Sequence, residues 1–478
     1  MKPLIICALL ALTGCATIGA DFVEPKLAPA PAWRNIEPGL VESMRLPAEW
    51  WTVFNDATLN ELERRAVRDN AGVRASAQRL LQAEAQLSTL RAAQGPSVNV
   101  GTSVANSRSS ALTAQSLALG GRAIEGNNFT LGASLSYELD LWGRVKRVVE
   151  AADAQALATQ YERDGVILLL SAQVAGAYWQ LRGLDAELAV LHDALVARRE
   201  AQQLVEARFN GGLTNELDVA RAGVERANAE ADLVEVQRQR NLLENVLAAL
   251  VGVSPSAPLI ASLARPVLPE PPAIPAGLPA SLLARRPDLA ASVALLRAAN
   301  AQVAVAEGAF YPALSLTGNF GYASESLGDL FKSGARQFSV GPLALSLPLF
   351  DGGRNQANLA QSKARFGEAL ANHEGRLLGA LREVEDALSD LQQRRKQGEV
   401  QARSQQAAAR AVLVARARYE RGLSTYLEVT DAQRSSLAAD RTAAQIRTQR
   451  LLATVAVARA LGAGWTPQAP VATIARTK

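Results

Sequence analysis

From Pro96 the chain reads Ser97, Val98, Asn99, Val100, Gly101, Thr102, Ser103, Val104, Ala105, so that Val98, Val100, Thr102 and Val104 alternate with Asn99, Gly101, Ser103 and Ala105. The same alternation returns as Phe129, Leu131, Ala133, Leu135 and Tyr137 against Thr130, Gly132, Ser134 and Ser136. It returns again as Leu314, Leu316, Gly318, Phe320 and Tyr322. A last run has Phe338 and Val340, then changes phase at Gly341 and Pro342 into Leu343, Leu345, Leu347 and Leu349. A period of two sends alternate side chains to opposite faces. An apolar face backed by a small, polar one marks a strand with lipid on one side and water on the other. Strands are expected over 96–107, 128–141, 311–323 and 336–350, with a bulge or bend at Gly341. A soluble two-sided sheet would alternate in the same way; the export signal described below favours the membrane.

Proline placement organises the rest. None occurs over 97–254 or 349–466, whereas nine fall from Pro255 to Pro287. Proline ends helices, so the two free blocks can hold very long helices and the rich stretch is a linker. Within them the period is helical: Leu181, Leu184, Leu188, Leu191 and Leu195 step by three and four, as do Leu217, Ala220, Val224, Ala227, Ala231 and Val234. Both stripes read as buried seams of antiparallel coiled coils. Helices are expected over 56–94, 143–208, 214–251, 280–309, 354–418 and 424–461. The 143–208 helix would be ~100 Å long.

The two blocks are copies of one unit. Phe209 to Val219 matches Tyr419 to Val429, Gly143 and Arg144 match Gly353 and Arg354, and Ala85, Gln86 and Pro96 match Ala301, Gln302 and Pro312, all in order. The expected layout is a leader at 1–14, an extended segment at 15–54 and a first repeat at 55–254. A proline-rich linker at 255–279, a second repeat at 280–462 and an irregular tail at 463–478 follow. The class is α+β.

Lys2, the apolar run from Leu4 to Leu12 and the small residues after it form a secretory signal too short to be a permanent membrane helix. Leu12, Thr13, Gly14 and Cys15 resemble the bacterial lipobox, in which the cysteine is acylated. Ala16 after it, where an Asp would retain the protein at the inner membrane, favours outer-membrane sorting by resemblance to enterobacterial lipoproteins. Each buried acyl CH2 adds ~0.8 kcal/mol, so a multiply acylated Cys15 is a firm anchor.

The 50 basic and 46 acidic residues are spread along the chain, without the clustered charge that nucleic-acid binding needs. Two histidines, His192 and His373, stand apart from each other. No nucleophile–base pair, metal cluster or phosphate loop is visible, so neither enzymatic activity nor a cofactor is expected. Four strands cannot close a barrel, and lipid does not tolerate an open edge. Several copies must pool their strands in a ring, and the long helices then continue its wall away from the membrane.

The residues that fit this scheme resemble the TolC superfamily of outer-membrane efflux ducts, in its OprM/NodT-like lipoprotein branch. The resemblance runs from Cys15 to Leu461. It rests on Trp50, Trp51, Phe54, Asn55 and Asp56; on Glu138 through Arg144; on Ala177, Tyr178 and Trp179; and on Arg285 through Asp288. Phe310, Tyr311 and Pro312, Pro348 through Arg354, and Asp431 through Arg434 complete it. It implies a homotrimer whose pooled strands form one barrel above a periplasmic helical tunnel. It also implies two partners, a periplasmic adaptor (membrane fusion) protein and an inner-membrane pump, often of the resistance-nodulation-division type. Outer components of protein-secretion or metal-efflux systems, and a structural periplasm-spanning lipoprotein, are the rival readings.

Glu428 and Asp431 lie three apart near a helix start, where the helix dipole alone favours acids. Repeated about a symmetry axis they would form acidic rings, and the resemblance makes them the periplasmic gate. It also makes Asp218, the repeat-mate of Glu428, and Tyr419 a latch on that gate, while Ser424 stands where the family has a latch arginine. Arg221 or Arg421 could replace it. Gly211, Gly212, Leu213 and Thr214, with Gly422, Leu423 and Ser424, occupy the hairpin tips. There Gly ends one helix, Thr214 or Ser424 is expected to cap the next, and the leucines are placed to dock adaptor tips.

Overall fold

The computed structural model describes residues 17–25, 32–35, 46–118, 120–256, 258–261, 263, 267–275, 282 and 285–467. The expected leader, the acylation site Cys15 and the end of the tail lie outside them. A short 3-10 helix, Trp50–Phe54, leads into α1 (Ala57–Asp69) and α2 (Ala71–Ala92). Then come β1 (Ser97–Arg108), α3 (Ala114–Ala118), β2 (Glu125–Leu139), α4 (Arg144–Asn210) and α5 (Glu216–Val251). The second repeat is α6 (Pro287–Gly308), β3 (Ala313–Ser324), β4 (Arg336–Ser346), α7 (Arg354–Glu420) and α8 (Tyr426–Ala460). Contacts divide the chain into two compact units. One is Met1–Pro25, Leu80–Thr159 and Ser292–His373; the other is Lys26–Arg79, Gln160–Ala291 and Glu374–Lys478.

The first unit holds one antiparallel sheet in the order β1-β2-β3-β4, so β1 and β4 are its edges. Its register sorts the two faces. Val100, Ala133, Phe320 and Phe338 form one row across the sheet, and Val98, Leu135, Gly318 and Val340 the next, all on one face. On the other face Asn99, Ser134, Asn319 and Ser339 line up, beside Gly101, Gly132, Gly321 and Gln337. The expected phase change is a bulge: Leu316 pairs with Leu343 and Gly318 with Val340, leaving Gly341 and Pro342 opposite Thr317. The extra residue returns Leu343 and Leu345 to the apolar face. β4 stops at Ser346, short of the expected 350, because Pro348 has no N–H to give the ladder.

The second unit is helical. The expected 56–94 helix is broken at Asn70, whose ψ of 130° is extended. Its Oδ1 accepts from the N–H of Gly72 at 2.7 Å, and its Nδ2 donates to the Leu250 carbonyl at 2.9 Å near the end of α5. That bond meets one of the carbonyls that a helix C-terminus leaves unpaired. Gly252 follows at φ +82°, with its absent Cβ only 2.6 Å from the Asp69 carbonyl oxygen, so a side chain would not fit.

The main core of this unit gathers Trp50, Trp51 and Phe54 against Tyr178, Trp179, Leu181, Leu247 and Leu451. Trp50 donates its indole N–H to Ser171 Oγ at 2.9 Å, and the Phe54 and Trp179 rings lie 5.3 Å apart. Truncating such a buried aromatic costs ~3–5 kcal/mol. The two leucine-type stripes behave differently. Leu181, Leu184, Leu191 and Leu195 of α4 are buried as expected. On α5 the stripe is solvent-facing: Leu217, Val224 and Val234 are 56%, 54% and 67% exposed. The buried face of α5 is instead Ala222, Glu225, Ala229, Val236 and Arg240. The α5 seam therefore has no partner within the described residues.

Candidate functional site

Both hairpin tips are built alike, and each turns on a glycine. At the end of α4 the Leu213 N–H reaches back to the Arg208 carbonyl at 2.8 Å; at the end of α7 Leu423 does the same to Arg418 at 2.9 Å. Gly212 and Gly422 sit between at φ +72°. This closure needs a left-handed residue, which glycine supplies without strain. Leu213 and Leu423 then project into solvent.

The helix caps lie one residue later than expected. Asn215, not Thr214, begins α5: its backbone is extended and its Oδ1 accepts the Asp218 N–H at 3.0 Å. Thr425, not Ser424, holds the matching place before α8 and makes no side-chain cap bond. A cap must itself be extended to turn its side chain back onto the helix start. Thr214 is thereby free to donate its hydroxyl to Asp218 Oδ2 at 2.7 Å.

Glu428 lies in the first turn of α8 and Asp431 one turn on, both exposed, while Val429 and Thr430 between them are buried. Arg418 stands 3.9 Å from Glu428, an exposed pairing worth ~0–1 kcal/mol. Beneath the acids, Tyr419, Tyr426 and Val429 pack with Val205 and Ala222. The tyrosine rings are 5.6 Å apart, and the Arg208 guanidinium lies 4.7 Å over the Tyr419 ring. Burial pushes the Tyr426 hydroxyl pKa up.

The expected Tyr419–Asp218 bond is not made in this conformation. The Tyr419 hydroxyl is buried without a hydrogen-bond partner, as is the Ser424 hydroxyl. Asp218 is held by Thr214 and by Arg221, whose guanidinium is 3.7 Å away. Arg221, from within the same helix, is the cation beside Asp218.

Sequence reasoning missed the centre of the bundle above the tip. Glu225 is buried and pairs with Arg198 at 2.9 Å; Arg434 of α8, on the turn after Asp431, donates to the same carboxylate. That hydrogen bond raises the Arg434 pKa. Further along, Arg441 of α8 joins Glu187 at 2.7 Å and Asp232 at 3.3 Å. Arginines of the helix bearing the exposed acids are therefore tied to acids of the first repeat. The signal was present as an acid at helical spacing within an alanine face, Ala222, Glu225 and Ala229.

Comparison with known proteins agrees with this architecture. The sequence profile of the outer membrane efflux protein family matches residues 63–253 and 278–463, one stretch in each repeat. Outer membrane protein OprJ of Pseudomonas aeruginosa is 34% identical over 463 residues, covering 96% of this chain and 95% of its own. Cation efflux system protein CusC of Escherichia coli is 30% identical over 468 residues, covering 97% and 99%. The solved outer-membrane channel OprN superposes with a TM-score of 0.87 at 30% identity, over 94% of this chain and 100% of that one. The chain belongs to the outer membrane efflux protein family, the TolC superfamily of outer-membrane channels.

Proposed function

We propose that three copies of this chain form the outer-membrane exit duct of a tripartite efflux pump. The duct passes small molecules such as drugs, passively, from a periplasmic adaptor and a resistance-nodulation-division pump to the exterior. The sheet carries this reading: it has one apolar and one polar face and two free edges, so it needs further strands before it can stand in lipid. Three copies of four strands make a twelve-stranded barrel. The polar row of Asn99, Ser134, Asn319 and Ser339 would face its lumen and the aliphatic row the lipid. The unpartnered α5 stripe supports the same assembly, since a second copy would cover it.

Rings of Glu428 and Asp431 would narrow the inner end, repelling anions and holding cations. Asp218 and Tyr419 would latch it: the buried, unpaired Tyr419 hydroxyl needs an acceptor, and a shift of one hairpin against the other would offer Asp218. The tips from Gly211 to Thr214 and from Gly422 to Ser424 would dock the adaptor through Leu213 and Leu423. Cys15, acylated, would anchor the chain. The likeness to CusC supports metal cations as a second class of cargo.

Deletion of the gene tests this reading. A duct predicts accumulation of a fluorescent dye and several-fold lower tolerance of drugs, restored by the intact chain. Sensitivity to metal salts alone would move the cargo to cations. Envelope defects with unchanged accumulation would leave a structural lipoprotein.

A further inference from the structure

The buried face of α1 is Leu59, Leu62, Glu63 and Ala66, spaced as one helical stripe with an acid at its centre. Glu63 is 0% exposed. Both of its carboxyl oxygens are buried without a protein hydrogen-bond donor. Its neighbours on the stripe belong to the core that holds Trp51, Phe54, Tyr178 and Trp179. A carboxylate without a well-formed donor in such a place is far costlier than the neutral acid, because the charge loses its hydration and gains little in return.

We propose that Glu63 is a neutral carboxylic acid in the working protein, and that its ionisation in alkaline medium loosens α1 from α4, making this junction a pH-sensitive joint. The inference is independent of the duct reading. Burial drives the Glu63 pKa well above the usual carboxylate range, against a smaller opposing pull from the Ala175 peptide of α4.

The charged and titratable groups around it have other engagements. Asp56, which caps α1, accepts from the Tyr178 hydroxyl at 2.7 Å, and burial pushes that tyrosine up to about 12. Arg182 pairs with Asp185, and Asp164 accepts from the Trp465 indole. On α8, Arg450 pairs with Glu270, and Arg459 is exposed. On the chain leading into α1 and on α1 itself, Glu49 pairs with Arg64 and Asp69 with Arg68 and Arg65. The last turns of α5, residues 245–251, carry no titratable side chain. No described cation is therefore paired with Glu63.

An acid that holds its proton more tightly when folded contributes its full stability below the ordinary value of 4.5 and loses it as pH rises toward the folded value. Within that window the wild-type folded-to-unfolded ratio falls about tenfold per pH unit relative to a variant that cannot ionise. Two measurements on the purified full-length protein test this. An infrared difference spectrum at neutral pH, wild type minus Glu63→Gln, should contain the carbonyl band of a protonated carboxylic acid; a carboxylate band in its place overturns the proposal. Thermal unfolding followed from acid to alkaline pH should show wild type falling progressively behind both Glu63→Gln and Glu63→Leu, with the curves converging at the acid end. Parallel profiles overturn it. Should neither variant fold, an infrared pH titration of wild type decides: an acid band must persist through neutral pH and vanish only in alkali.

Discussion

Helices α4 and α5 carry the same heptad step and meet opposite surroundings. Leu181, Leu184, Leu191 and Leu195 of α4 are buried within the chain, whereas Leu217, Val224 and Val234 of α5 face solvent. A heptad says that a helix has a partner; it does not say that the partner belongs to the same molecule. The inward face of α5 uses small residues, Ala222 and Ala229, around the ion-paired Glu225. In the half nearer the tip its larger aliphatics Leu217, Val224 and Val234 point outward, while Val236 and Leu247 farther along are buried. One helix thus divides its two faces between its own chain and, in the proposed assembly, a second copy.

The sharpest way to break this comparison is to charge the outward face. Val224→Glu combined with Val234→Glu should abolish the trimer on native mass spectrometry while leaving helical content by circular dichroism unchanged; persistent trimers would show that the stripe is not a seam between copies. Glu225→Ala comes next. It strands the buried Arg198 and should cost ~3–5 kcal/mol in chemical denaturation, with Glu225→Gln losing less. Leu191→Ala, on the inward stripe, should cost ~2–5 kcal/mol while the trimer persists. The smallest effect belongs to the tips. Gly212→Ala forces a side chain into φ +72°, for about 1–2 kcal/mol, and the paired Gly422→Ala should match it, because nothing crowds either position.

The strands were legible because period two is rigid: once Val98 is assigned to a face, every second residue follows, and even the slip at Gly341 could be read. The long helices were legible from absent proline. The break at Asn70 was not, because asparagine is only mildly unfavourable in a helix and the break depends on a bond to Leu250, far along the chain. Glu225 and Glu63 were missed for one reason: an acid in an amphipathic pattern reads as surface unless its small or apolar neighbours at helical spacing are weighed with it. At the tip, Asp218, Tyr419, Glu428 and Asp431 were named by resemblance. Arg221 was one of two arginines named beside Asp218, whereas Thr214 was expected to cap α5, and its bond to Asp218 is visible only in the packed structure.

The central claim, a duct narrowed by acidic rings, is tested most directly by planar-bilayer conductance of the purified trimer beside a Glu428→Ala/Asp431→Ala double variant. The account predicts a small, cation-selective conductance that rises and loses its selectivity in the variant. Silence from both proteins, with trimers and insertion confirmed, would contradict it.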